Sequence, residues 1–194
     1  MPTSNLLYFN VRGRGELIRL VLNAAEKDFE DVRVSNAEWP SLKPQMPFNQ
    51  LPVLEVTKSN GEKVMLTESL AIARLLARTF GLYGDDAAEV YLIERMNSLV
   101  SVLVLSTISQ SKSESRTSWM AIEMALKERK NTFIAGSQVT LADLQAIVLL
   151  DTMDKFLPNT RYECRDELEK IKDNVIKAKL GIARYLRSRP VTDF

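Results

Sequence analysis

The sequence predicts an α/β amino-terminal domain, βαβ-ββα around a mixed sheet, followed by an all-α carboxy-terminal domain. Three observations lead there. Short strand-like runs alternate with helical periodicity over the first eighty residues, Asn60-Gly61 marks a hairpin, and beyond residue 86 only helical patterning follows.

Residues 6–9 (LLYF) form a short apolar run of the kind a buried strand shows, and Arg12-Gly13-Arg14-Gly15 breaks it. Leu17, Leu20, Val21, Ala24 and Ala25 then recur at i, i+3, i+4, i+7 and i+8, the single stripe of an amphipathic helix. Residues 29–34 (FEDVRV) alternate apolar and charged, which predicts a second strand parallel to the first through a right-handed crossover. A loop rich in Trp and Pro, residues 39–48, leads to strands at 52–56 and 63–66, joined by residues 58–62. Asn60-Gly61 in that joint tolerates the positive φ of a tight hairpin. Residues 68–80 read as a helix with Ile72, Leu75 and Leu76 on its apolar face and Gly81 as its stop. This order is a thioredoxin-like layout.

Residues 81–86 (GLYGDD) make a turn-rich linker, so the chain divides into domains 1–81 and 82–194. In the second, Gly136 breaks the chain before Thr140-Leu141-Ala142-Asp143, a capping box with Asp in place of Glu. The stripe Leu141, Leu144, Ile147 and Val148 follows it. Leu99, Val102, Leu103 and Ser106 have helical spacing and read as a buried or dimer-facing helix face, or alternatively as a substrate wall. Residues 109–118, polar and Ser-rich, read as a loop or frayed turn; Cys164 precedes a charged helical segment, 165–179.

Composition narrows the chemistry. With 194 residues and 45% apolar content the chain can bury a substantial core. A net charge of +1, from 26 basic and 25 acidic residues, provides no field for nucleic acid or a membrane surface. The most apolar run, residues 99–105, is far short of the roughly 20 residues of a membrane-spanning helix. There is no histidine, which excludes Ser-His and Cys-His nucleophiles, an imidazole base and His-liganded metals. One cysteine makes neither an internal disulfide nor a CxxC pair and fits a reducing, cytoplasmic setting.

Several residues carry possible chemistry, each with a plainer alternative. Tyr8 ends the first strand beside an Arg-Gly-Arg turn, where a phenol donor near a cation stabilises a thiolate; it also reads as a half-buried strand tyrosine. Leu51-Pro52 stands at the start of the third strand, where thioredoxin-like folds carry a cis proline that frees a backbone edge for an extended peptide, or where an ordinary strand-starting proline stands. Glu68-Ser69 at a helix start suits an α-amino acid head group, or simple capping. Trp39 and Lys43, four apart, suit a terminal carboxylate, or form a solvated loop pair.

Taken together, LLYFNVRGRGELIRLVL, EWPSLKPQMPFNQLPVLEV and TESLAIARLLARTFGL closely resemble the N-terminal domain of the glutathione transferases, the sigma class most specifically. VTLADL (139–144) and the ending RYLRSRPVTDF (184–194) resemble the same class. The resemblance implies a catalytic Tyr8 whose hydroxyl donates to the sulfur of glutathione, with Arg14 supporting it. It implies Trp39 and Lys43 on the glycyl carboxylate, and Gln50, Leu51 and Pro52 along the tripeptide backbone. Glu68 and Ser69 would hold the γ-glutamyl group; many family members have Gln before that serine. Glutathione then enters as co-substrate, the helical domain 82–194 provides the hydrophobic pocket and part of a homodimer interface, and the nucleophile is not the protein's own. Lowering the thiol pKa by about two units stabilises the thiolate by roughly 2.7 kcal/mol, the size of one hydrogen bond to a charged acceptor at about 1.5–3 kcal/mol.

The chain departs from the family in its middle. Ser98, Ser101 and Val102 stand where acids are common, and the stretch 103–132 is shorter than expected. The Mg²⁺ or Ca²⁺ site of sigma-class prostaglandin D synthases is not expected, since hard cations need clustered oxygens. The function implied is a detoxifying glutathione transferase acting on hydrophobic electrophiles. The alternatives are a glutathione-dependent prostaglandin D synthase-type isomerase and a non-catalytic, crystallin-like or ligand-carrying member.

Overall fold

The computed structural model describes residues 3–108, 112–156 and 163–192, with side chains described throughout except at 104–108 and 112–116. Two compact units emerge: Met1–Leu76 together with Gly181–Phe194, and Ala77–Leu180.

The first unit is built on four strands, β1 (Thr3–Phe9), β2 (Glu30–Val34), β3 (Val53–Thr57) and β4 (Lys63–Leu66), in the order β2-β1-β3-β4. β1 and β2 are parallel, whereas β3 runs antiparallel to both β1 and β4, so the sheet is mixed as the sequence predicts. The β3–β4 turn closes with Lys58 N–H on Glu62 O at 2.8 Å, and Gly61 takes φ +83°. Helix α1 (Glu16–Ala24) crosses between the parallel strands. Leu6, Val53 and Leu54 of the sheet and Ile18, Leu20 and Val21 of α1 are fully buried.

The Trp- and Pro-rich loop holds more order than its composition suggests: helix α2 (Trp39–Leu42) and two 3-10 turns, Lys43–Gln45 and Pro47–Asn49. Helix α3 (Ser69–Thr79) buries Ile72, Ala73 and Ala77, while Leu75 is 48% exposed, contrary to its expected place on the apolar face. The stripe runs along 72, 73, 76 and 77, and Leu75 lies about 130° round the helix from its centre. α3 ends as predicted. Gly81 adopts φ +69°, Leu82 N–H reaches Ala77 O at 2.7 Å, and Gly81 N–H points to Arg78 O at 3.5 Å, a Schellman stop.

The first unit is completed by helix α8 (Leu180–Ser188), whose Gly181 lies against the backbone of α1: a Cβ there would come within 2.0 Å of Asn23 O.

The second unit is helical: α4 (Ala87–Ile108), α5 (Lys112–Lys127), α6 (Leu141–Phe156) and α7 (Arg165–Ala178). α4 buries Ile93, Met96, Val100 and Leu103, whereas Val102 is 52% exposed, so of the readings open for this face a fully buried one does not hold at Val102; the side chain of Ser106 lies outside those described. The Ser-rich stretch is helical from Lys112 onward rather than a loop; positions 109–111 lie outside the described residues. α6 is the central helix, buried on nearly every side. The carboxylate half of its capping box forms, while Asp143 N–H donates to the main-chain carbonyl of Thr140 at 3.1 Å rather than to the hydroxyl. Asp143 accepts hydrogen bonds from Thr140 N–H (2.8 Å), Thr140 Oγ1 (2.9 Å) and Ile134 N–H (2.8 Å). Burial pushes the Asp143 carboxyl above the usual carboxylate range, against the pull of these donors. Among the described residues no helix is long and apolar enough to cross a membrane.

Candidate functional site

The pairing register gathers the candidate residues at one end of the sheet. Leu7 is opposite Val53 and Leu54 opposite Leu66, so extending the ladders sets Tyr8 and Phe9 beside Pro52 and Leu51, and Pro52 beside Glu68. Phe9 is also opposite Val34, the last residue of β2, from which the chain leads to Trp39. Four chain segments therefore deliver side chains and backbone to the same edge, at the carboxyl ends of the two parallel strands.

Tyr8 is 7% exposed. Its hydroxyl oxygen accepts the backbone N–H of Arg14 at 3.0 Å, so the phenolic proton is left to donate elsewhere. Accepting one hydrogen bond strengthens the donor side of a hydroxyl. The hydrogen bond between Arg14 and Tyr8 thus runs through the main chain. Two glycines let that turn close on the ring. A Cβ at Gly15 would meet Tyr8 Cδ1 at 2.5 Å, and one at Gly13, where φ is +38°, would meet the hydroxyl at 2.7 Å.

Trp39 is half-buried, its ring edge-on to Phe9 at 5.4 Å between centroids and 81° between planes. It is set there by a second capping box, which the sequence reading missed although Ser35-Asn36-Ala37-Glu38 spells it. Glu38 accepts Ser35 N–H at 2.9 Å and Ser35 Oγ at 2.6 Å, and Ser35 Oγ accepts Glu38 N–H at 3.2 Å. These bonds hold the Glu38 carboxyl below the usual range. Lys43 N–H donates to Trp39 O, so the two residues do share one helical turn, with the lysine exposed.

The Leu51-Pro52 peptide is cis, and Leu51 lies just outside the registered β1–β3 ladder. Gln50 is exposed and extended, φ −136°. Glu68 caps α3: its carbonyl accepts Ile72 N–H at 2.9 Å while its own φ is +66°, the left-handed region that a non-glycine residue enters at a cost of order 1–3 kcal/mol. Glu68, which is exposed, and Ser69, which is half-buried, occupy the positive end of the helix.

Four further residues behind Tyr8 escaped the sequence reading: Glu16, Arg19, Tyr185 and Arg189. Arg19 is fully buried, its guanidinium 5.7 Å from the Tyr8 ring centroid. No metal-binding group of three or more His, Cys, Asp or Glu occurs among the described residues.

Comparison with known proteins identifies the family. The glutathione S-transferase N-terminal domain family matches residues 4–78, and the glutathione S-transferase C-terminal domain family matches residues 111–189. The chain belongs to the glutathione S-transferase family. It is 34% identical to the class-mu 28 kDa glutathione S-transferase isozyme of Schistosoma japonicum, over 97% of this chain and 99% of that one. The sigma-class glutathione S-transferase of Fasciola hepatica superposes with a TM-score of 0.91 at 29% identity, covering 100% of this chain and 99% of that one. Hematopoietic prostaglandin D synthase of Mus musculus is 45% identical over 46% of this chain and 42% of its own.

Proposed function

We propose that this glutathione S-transferase activates glutathione with Tyr8 and conjugates it to hydrophobic electrophiles, as a detoxifying enzyme. The observation that carries the reading is the hydroxyl of Tyr8, buried, engaged as an acceptor by Arg14 N–H at 3.0 Å, and left with a proton to offer. Glutathione supplies the nucleophilic sulfur, which accounts for a chain with neither histidine nor a CxxC pair. Tyr8 donates its proton in a hydrogen bond to the sulfur and stabilises it as thiolate, a task of about 2–3 kcal/mol. Trp39 and Lys43 bind the glycyl carboxylate, Gln50 and Leu51 pair with the tripeptide backbone at Pro52, and Glu68 with Ser69 holds the γ-glutamyl ammonium and carboxylate. These assignments are supported by their shared edge of the sheet and by the donor chemistry at the start of α3. Arg14 acts through its backbone N–H.

The apolar surface that receives the electrophile is assigned to the helical unit. We read the enzyme as a cytoplasmic homodimer; Phe48, 75% exposed, and Leu75 give the first unit apolar surface for a second copy. Sedimentation of the wild type against Phe48→Ser tests that point, and a dimer unaffected by the substitution would remove Phe48 from the interface.

The test of the main reading is the pH titration of thiolate absorbance in the glutathione complex. Tyr8→Phe should keep glutathione binding and raise the midpoint by about two units. An unchanged midpoint refutes the role given to Tyr8. The stretch shared with the mouse prostaglandin D synthase supports a second reading, glutathione-dependent isomerisation of a prostaglandin endoperoxide through the same thiolate. Parallel assays with an aryl halide and an endoperoxide separate the two.

A further inference from the structure

The glutathione reading leaves a buried ionic network behind Tyr8 without a task. Glu16, the first residue of α1, is 1% exposed, and both its carboxylate oxygens are engaged. Oε1 meets Arg189 Nη1 at 2.7 Å; Oε2 accepts the Tyr185 hydroxyl at 2.9 Å and lies 3.4 Å from Arg19 Nη1. Arg19, fully buried, donates Nη1 to Val11 O at 2.8 Å and Nε to Asp31 Oδ1 at 2.9 Å. Glu16 N–H in turn donates to Arg12 O at 3.0 Å. The segment 11–16, which carries the Arg14 N–H that engages Tyr8, is therefore gripped from two sides. Arg19 holds its start, and α8 with the residue that follows it holds its end through Glu16.

We infer that Tyr185 and Arg189 are positioning residues for the Tyr8 hydroxyl. They fix Glu16, Glu16 fixes the turn of residues 13–15, and that turn sets the Arg14 N–H on the phenol oxygen. The end of the chain is thus part of the thiol-activating apparatus, although neither residue has a role in holding glutathione. A packing role alone needs only the apolar side of α8 and Gly181 against α1. It does not need a phenol and a guanidinium converging on one buried carboxylate. Without Arg189, Glu16 keeps a single, long ion pair to Arg19, and the buried charge draws the turn out of place. This inference rests on the assignment of Tyr8 as the thiolate donor.

The experiment uses the full-length protein and follows thiolate absorbance of bound glutathione against pH, with kcat and KM for an aryl halide. Tyr185→Phe, Arg189→Met, Arg189→Lys, Tyr8→Phe and the double variant Tyr8→Phe/Tyr185→Phe are compared with the wild type. The expected result is that Tyr185→Phe and Arg189→Met raise the thiol midpoint by about half a unit or more, about threefold less thiolate below the midpoint. kcat should fall with it, as the thiolate fraction of the bound complex falls, while KM for glutathione stays within about twofold. Arg189→Lys should recover most of the loss, and the double variant should titrate as Tyr8→Phe alone. If Tyr8→Phe shifts the midpoint but Tyr185→Phe and Arg189→Met titrate as wild type, the positioning role is overturned and the Tyr8 reading stands. If Tyr8→Phe titrates as wild type, both fall together. Should Arg189→Met fail to fold, Tyr185→Phe decides, since it removes one oxygen and leaves the ring in place.

Discussion

Replacing Gly15 with alanine adds one methyl group against the face of Tyr8. The backbone permits it: Gly15 has φ −79° and ψ −21°, ordinary right-handed values, so the substitution is not strained by conformation. The obstruction is the ring. The new Cβ would sit 2.5 Å from Tyr8 Cδ1 and 2.8 Å from Cγ, whereas carbon pairs rest at about 3.5–4.0 Å. Either the ring or the turn must give by about 1 Å; Tyr8 and Gly15 are both buried, although Arg14 between Gly13 and Gly15 is exposed. Overpacking of this kind costs about 1–3 kcal/mol of stability. With the role proposed for Tyr8 its larger effect is on chemistry, because a 1 Å misplacement of a catalytic group costs up to about 100-fold in rate.

The assay is conjugation of glutathione to an aryl halide, read beside thermal unfolding. Gly15→Ala should keep its fold, melt several degrees lower and lose about 10- to 100-fold in kcat, with glutathione affinity little changed. In the Tyr8→Phe background the same change should cost almost nothing further in rate, because the group it displaces is already disabled. A Gly15→Ala enzyme with wild-type kcat would refute the claim that close packing of the turn on Tyr8 sets its hydroxyl. An equal rate loss in both backgrounds would refute it as well, by showing that the methyl acts on something else.

Gly13→Ala should be worse than Gly15→Ala in stability as well as rate, since φ +38° is unfavourable for alanine and its Cβ would reach the hydroxyl at 2.7 Å; chemical denaturation of the pair ranks them. Asp143→Ala should destabilise by about 2–4 kcal/mol in urea unfolding, because it leaves the N–H groups of Thr140 and Ile134 without their acceptor in the interior. Burial pushes the Cys164 thiol up to about 12, from about 8.5 in an unfolded chain. The sign follows from linkage: a raised folded value contributes stability fully below about pH 8.5 and loses it as pH rises towards 12. The stability of the wild type relative to Cys164→Ala should therefore fall by up to about 1.4 kcal/mol per pH unit above pH 9, measured by urea unfolding at pH 8, 9 and 10. The same burial predicts slow labelling of the native thiol by aromatic disulfides at pH 8 and fast labelling in urea.

What the sequence discloses about this molecule is whatever depends on neighbours in the chain. The β-α-β order, the Asn60-Gly61 hairpin, the Gly81 stop and the carboxylate half of the Thr140–Asp143 box are each decided within a few residues, by periodicity, φ preference or a short-range hydrogen bond, and each is present. The Ser35–Glu38 box belongs to the same class and was equally readable. Errors arise where a helix face is shared out by partners distant in sequence. Leu75 sits beside the truly buried Leu76, and a stripe drawn from apolar residues alone cannot tell an inward leucine from an outward one.

The site divides on the same line. Tyr8, Trp39, Lys43, Leu51-Pro52 and Glu68-Ser69 are each ambiguous alone and become a candidate set only through the family resemblance; the strand order then brings the element ends that carry them to one edge. Arg19 shows the limit. On α1 the apolar stripe runs through Leu17, Leu20, Val21 and Ala24, and helical geometry turns Arg19 about 150° from its centre, which predicts a solvated cation. It is instead fully buried. The carboxylate of Glu16 that lies beside it is neutralised in addition by Arg189, 173 positions along the chain, and hydrogen-bonded by Tyr185. An arginine is placed in an interior only where acceptors surround it, and here those acceptors are the carbonyls of Val11 and Arg12, which lead into the turn that meets Tyr8, and two carboxylates on different elements. That convergence, rather than any local motif, ties the last helix of the chain to the first strand.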